Sequence, residues 1–118
     1  MCVLINDKEE IIKLIDSCED GNIRIWNFYS GILLKKIKIN DDGLNEICLW
    51  NKEYLFVGCY DKSIKLLNLE KNKIFLNEVK GHNDIVISIK KLIHPKFGKC
   101  LISQGVDKDS IIIWEIKE

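Results

Sequence analysis

Apolar residues fall along the chain in short runs, CVLI, IIKLI, ILLKKIKI, YLFV, IKLL and IIIW among them, and polar turns such as EDGN and YDKS separate them. Ile-rich segments alternating with Gly or Asp turns are the pattern of consecutive hairpins. The pattern predicts strands over 2–6, 11–17, 22–28 and 32–39, then 46–50, 54–59, 63–69 and 73–79, then 85–92, 100–104 and 110–116. The run IIKLIDS could form a helix in isolation, but its place in the series makes it a strand. Ile111 to Trp114 and Tyr54 to Val57 are continuously apolar, whereas a strand with one wet face alternates. Both runs are therefore expected to be covered on both sides by stacked sheets.

The runs recur. DGNIRIWN begins at Asp20, DKSIKLLN at Asp61 and KDSIIIWE at Lys108; Asp20 to Asp61 and Trp26 to Leu67 are both 41 residues, and Leu67 to Trp114 is 47. The longer step coincides with an insertion around HPKFGK and an extra residue in GVDKDS. Cys18, Cys59 and Gly105 share the column two residues before the turn Asp, and LID, LFV and LIS precede them. The chain reads as three units, approximately 1–40, 41–80 and 81–118. Small sheets repeated every 40 to 45 residues or so, each sandwiched by its neighbours, are the blades of a propeller. The expected fold is an all-β partial β-propeller, two four-stranded antiparallel blades plus three strands of a third.

With Gly81–His82, LISQGVD (101–107) and IIIWE (111–115), and the weaker echoes IRIWN and IKLLN, the chain resembles the WD-repeat β-propeller family over essentially its whole length. The resemblance implies a structural tetrad of hydrogen-bonded side chains in the third unit: His82, Ser103, Asp107 and Trp114, with Asp109 as the alternative acid. A buried indole N–H and imidazole need partners, and such a chain supplies them. The first unit keeps Asp20 and Trp26 but has Asp16 in the Ser column; the second keeps Asp61 but has Val57 and Leu67, with NDDG where GH belongs. Those two tetrads are incomplete. Family propellers close a ring, which two blades and three strands cannot do alone, so further blades or self-association would have to complete it.

Composition narrows the function. Lys plus Arg and Asp plus Glu are both 18, leaving no net charge to drive sequence-blind binding to nucleic acid or an anionic membrane. The chain lacks Ala and Thr and is rich in Ile, a lean toward strands that A/T-rich codons would also produce. Five cysteines, an odd number with no CxxC spacing, argue against a disulfide framework or a zinc site and for a reducing, intracellular compartment, cytoplasmic or nuclear. No apolar stretch approaches a membrane span of roughly 20 residues. His82, Ser103 and Asp107 could pass for a hydrolase triad, but no GxSxG surrounds Ser103. His82, His94 and Cys100 match no metal-ligand spacing, and no phosphate-binding loop is present. No cofactor and no metal are expected.

What is left is a non-catalytic scaffold for a protein or peptide partner. The alternative is a segment of a larger enzyme or ubiquitin-ligase adaptor whose catalytic residues lie elsewhere. In the family, partners dock on loops entering each first strand and on second-to-third strand turns. Here that rim offers Glu19, Tyr60, Asn83 and Asp84, with Asp42, Asn45 and Val106 nearby. Tyr60 is the foremost candidate, because an exposed aromatic gives contact area at low entropic cost.

Overall fold

The computed structural model describes residues 2–6, 12–79, 81–106 and 111–116. Its strands are β1 (Cys2–Asn6), β2 (Ile12–Ser17), β3 (Asn22–Asn27), β4 (Leu33–Lys38), β5 (Leu44–Leu49), β6 (Tyr54–Cys59), β7 (Ile64–Asn68), β8 (Lys73–Val79), β9 (Val86–His94), β10 (Gly98–Gly105) and β11 (Ile111–Glu115). They form three antiparallel sheets, β1-β2-β3-β4, β5-β6-β7-β8 and β9-β10-β11, each a meander in chain order. This is the partial propeller of two four-stranded blades and three strands of a third. Among the described residues there is no helix, and so none long and apolar enough to cross a membrane.

The turns make these meanders possible. In the first blade Gly21 adopts φ +86 at the β2–β3 turn, and a Cβ there would meet the Asn40 carbonyl oxygen at 1.9 Å. Only glycine fits. Lys62, in the same column of the second blade, takes φ 74 with a full side chain. Each turn is fastened by its Asp: Asp20 Oδ1 accepts from Asn22 N at 3.1 Å, and Asp61 Oδ1 accepts from Ser63 N at 3.0 Å.

Apolar side chains bury between blades. Ile15, Ile23 and Ile25 of the first pack on Leu55, Val57 and Leu67 of the second. Phe56, Ile64 and Leu66 of the second pack on Val86, Ile89 and Leu101 of the third. The second blade is thus covered on both faces, and every residue of β7 is buried.

The expectation that Ile111–Trp114 is likewise covered on both sides is wrong. Burial alternates along β11, with Ile111 62% and Ile113 50% exposed. Their repeat equivalents are enclosed: Ile23 0% and Ile25 4% in the first blade, Ile64 1% and Leu66 9% in the second. The positions are aliphatic in all three; among the described residues no sheet lies against that face of the third blade. The HPKFGK insertion also differs from a loop, because β9 runs on to His94 and β10 starts at Gly98, so the extra residues lengthen a hairpin. Lys96 N and Phe97 N donate to His94 Nδ1 at its tip.

Candidate functional site

In the third blade the loop entering β9 carries His82 down against β10. His82 Nε2 lies 2.6 Å from Ser103 Oγ, and Trp114 Nε1 donates to the same oxygen at 2.7 Å. His82 is buried and Ser103 is fully enclosed. The single hydroxyl ties a loop and two strands together, which a side chain able both to donate and to accept can do. Gly81 permits the approach, since a Cβ there would meet Trp114 Cη2 at 2.9 Å and Ile112 Cδ1 at 3.0 Å. Asp107 and Asp109 lie outside the described residues.

The other two blades use different chemistry in the same columns. In the first, Trp26 Nε1 donates to Asp16 Oδ2 at 3.3 Å, the carboxylate standing where the third blade has Ser103. In the second, Val57 and Leu67 replace both polar partners, and both are fully buried. Where the indole disappears, so does the acceptor that would have been left unpaired beside it.

The turn Asp of these blades is joined by a cation that reading the sequence missed. Arg24 Nη2 donates to Asp20 Oδ2 at 2.6 Å, and Lys65 Nζ donates to Asp61 Oδ2 at 2.9 Å and to Ser63 Oγ at 2.8 Å. Both cations stand four residues after the Asp, a 41-residue repetition visible in DGNIR and DKSIK. Lys65 is enclosed, its side chain only 4% exposed. Burial opposes charge on Asp61, but the Ser63 hydrogen bonds and the Lys65 ammonium outweigh it and hold its carboxyl below the ordinary value. The Arg24 guanidinium holds the Asp20 carboxyl well below the usual carboxylate range.

Cys59 and Cys48 sit in the apolar clusters between blades. Burial pushes the Cys59 thiol up to about 12 and raises that of Cys48 as well, so neither supplies a thiolate at neutral pH. Among the described residues no group of three or more His, Cys, Asp or Glu side chains is gathered for a metal ion.

At the rim, loops are knitted together by main-chain hydrogen bonds. Leu44 N donates to Cys18 O at 3.3 Å across the first and second blades, Tyr60 N to Gly43 O at 3.2 Å, and Val106 N to Ile85 O at 2.9 Å. Ser17 Oγ adds a bond to Asn45 O at 2.7 Å. Glu19 and Asn83 are exposed, while Asp84 and Tyr60 are half-buried. The Tyr60 ring borders Gly43, whose added Cβ would meet Tyr60 Cδ2 at 3.3 Å.

No protein-family model matches the chain. Among solved structures, it superposes on the WD40 repeats of RRP9 with a TM-score of 0.74 at 19% identity, over 96% of this chain and 33% of that one. With the WD40 β-propeller domain of Doa1 the TM-score is 0.76 at 21% identity, over 93% of this chain and 34% of that one. In fold the chain is a partial WD-repeat β-propeller. It is also 31% identical over 110 residues to the nuclear distribution protein PAC1 of Candida tropicalis, matching 89% of this chain and 21% of that protein. It is 26% identical over 117 residues to the probable coatomer subunit beta′ of Schizosaccharomyces pombe, matching 97% of this chain and 14% of that protein. The WD-repeat segment therefore spans about a fifth or less of the length of these relatives.

Proposed function

We propose that the chain is a non-catalytic protein-interaction scaffold, part of a WD-repeat propeller that presents Glu19, Tyr60, Asn83 and Asp84 to a protein or peptide partner inside the cell. The observation that carries this reading is the rim, where hydrogen bonds tie the first blade to the second and each entering loop of the second and third blades to its own turn, while side chains of dissimilar chemistry stay at least partly exposed. Rigid loops that keep free side chains lose little entropy on binding. The residues that look catalytic support the same reading. Ser103 has no exposure and its hydroxyl is engaged by Trp114 and His82, so no substrate carbonyl reaches it. His82, Ser103 and Trp114, with Asp107 as their proposed fourth member, are read as a structural staple. An intracellular setting agrees with relatives named for nuclear distribution and for the coatomer.

The test places positive charge on the exposed part of the rim. Glu19→Lys with Asn83→Lys in the parent protein should abolish capture of its binding partner while leaving the melting temperature unchanged, since both residues are exposed. Capture undiminished by these substitutions would move the docking surface away from the rim.

A further inference from the structure

At the end of the second blade opposite the rim, where β5 turns into β6, a cavity of about 430 Å³ reaches across to Ile116 of the third blade. Its walls include four aromatic rings, Trp50, Tyr54, Phe56 and Phe75, and one carboxylate, Glu53; no Lys, Arg or His lines it among the described residues. The rings stand at steep angles, Trp50 to Phe56 at 89° with centroids 5.7 Å apart and Tyr54 to Phe75 at 65° and 5.5 Å. Phe75 is 60% exposed, so the space reaches the surface there.

Rings set around a common space, with an acid beside them, suit a positive charge, because the ring face carries the negative end of its quadrupole. One of these rings already serves a cation. Lys99 Nζ lies 4.1 Å from the Trp50 ring centroid and donates to the Trp50 carbonyl at 2.9 Å, although Lys99 is not part of the cavity wall.

The kind of cation follows from the acceptors. Asn51 Oδ1 accepts from Glu53 N at 2.8 Å and from Tyr54 N at 2.9 Å, and Glu53 Oε1 accepts from Asn68 Nδ2 at 3.3 Å. A primary ammonium brings three N–H donors that need acceptors once water is removed, and two of the nearby acceptors, Asn51 Oδ1 and Glu53 Oε1, already receive protein N–H groups. A quaternary ammonium keeps the charge and has no donor to satisfy. Leu66 and Ile116 add apolar wall suited to an aliphatic stem, and among the described residues no basic side chain lines the cavity to hold the phosphate of a phosphocholine.

We propose that this cavity binds a quaternary ammonium group carried on the side chain of a trimethylated lysine. The site lies away from the rim and stands whether or not the rim binds a partner.

Calorimetric titration of the full chain with a short trimethyl-lysine peptide tests it, alongside the same peptide bearing a neutral all-carbon tert-butyl isostere, the unmodified lysine peptide, and choline. The trimethyl-lysine peptide should bind about tenfold or more tighter than the neutral isostere, the scale of a desolvated cation–π attraction. Phe75→Ala should weaken it by a comparable factor while the far-ultraviolet circular dichroism stays that of the parent. Glu53→Gln, which keeps an oxygen for Asn68, should weaken the charged peptide and leave the isostere unaffected. Equal binding of the isostere would overturn the proposal by reducing the cavity to an apolar slot. Binding of choline with the peptide silent would overturn the lysine side chain as the source, and no binding to a chain with its β-sheet signal intact would overturn the site itself.

Discussion

Replacing Asp61 by Asn takes the negative partner from an ammonium that has almost no access to water. The Lys65 side chain is 4% exposed and that of Asp61 24%, with the two groups 2.9 Å apart. After the substitution Lys65 Nζ keeps its bond to Ser63 Oγ at 2.8 Å but loses its counter-charge. Removing one member of a buried ion pair costs about 3 to 5 kcal/mol, and the partial exposure of Asp61 places this case near the lower end, about 3 kcal/mol. Lys65→Met acts differently. It leaves a carboxylate that is partly exposed and still receives Ser63 N and Oγ, so the loss is about 1 kcal/mol, the worth of a hydrogen bond. The double substitution strands no charge and should lie within about 1 kcal/mol of the parent. Urea melts at neutral pH, followed by tryptophan fluorescence, measure all three. The sign with pH is set by the depressed carboxyl of Asp61. Its contribution is present above the ordinary carboxylate value of about 4 and is lost as pH falls through the lower folded-state value, so parent and Asp61→Asn should converge on acidification. Equal costs for the two single substitutions, or a difference from Asp61→Asn that persists undiminished at the lowest pH at which both chains fold, would refute the reasoning.

The staple of the third blade gives a second prediction: Trp114→Ala should cost about 3 kcal/mol, the low end for a large aromatic because its ring is only partly buried, Leu67→Ala about 2 to 5 as a cavity in a packed interface, and His82→Ala about 1 to 3 by stranding the buried Ser103 hydroxyl. A His82→Ala chain that melts like the parent would remove the staple. Because Ile111 and Ile113 lie open on β11, the isolated chain should self-associate at micromolar concentration, and Ile113→Lys should reduce the scattering mass; a monodisperse parent monomer would contradict this. Tyr60→Ala should change stability by no more than about 1 kcal/mol, since the ring is only half-buried against Gly43, yet weaken partner capture. Unaltered capture would restrict Tyr60 to packing.

The fold was legible because its signal is redundant. Asp20 and Asp61, Trp26 and Leu67, and Cys18 and Cys59 keep one spacing, and strands that alternate with Asp turns in that register have few other arrangements. The error at Ile111–Trp114 has an equally simple origin. An apolar run records which faces a blade is built to cover, whereas exposure depends on whether the next blade is there. Val57 is enclosed by the first blade and Phe56 by the third, while Ile113 has the side chain for such an interface with no sheet opposite it. The full length of the β9–β10 hairpin escaped notice because HPKFGK carries Pro and Gly, which mark a turn but not how far the flanking strands extend around it.

The hydrogen-bond networks were only half legible, and the missing half is instructive about what the fold requires. Reading from the staple of the third blade makes the first and second blades look deficient, since Asp16 and Val57 stand in the Ser103 column and the second has NDDG where GH belongs. Their register shows a substitution of another kind. Arg24 pairs across the sheet with Asp16, Lys65 with Val57 and Ile112 with Ser103, so one column carries a cation in two blades and an apolar residue in the third. Where the column is cationic it reaches the turn Asp directly, at Asp20 or Asp61. Where it is Ile112 the side chain lies beneath Gly81, and the neighbouring His82 is directed at Ser103. A polar tie to the loop end of the sheet can thus come from the third strand or from the entering loop. A buried polar group must be satisfied by some partner, but the partner's position in the sequence is free, which is why a search for a fixed histidine found one staple where the structure has a second fastening of different composition in each of the other blades.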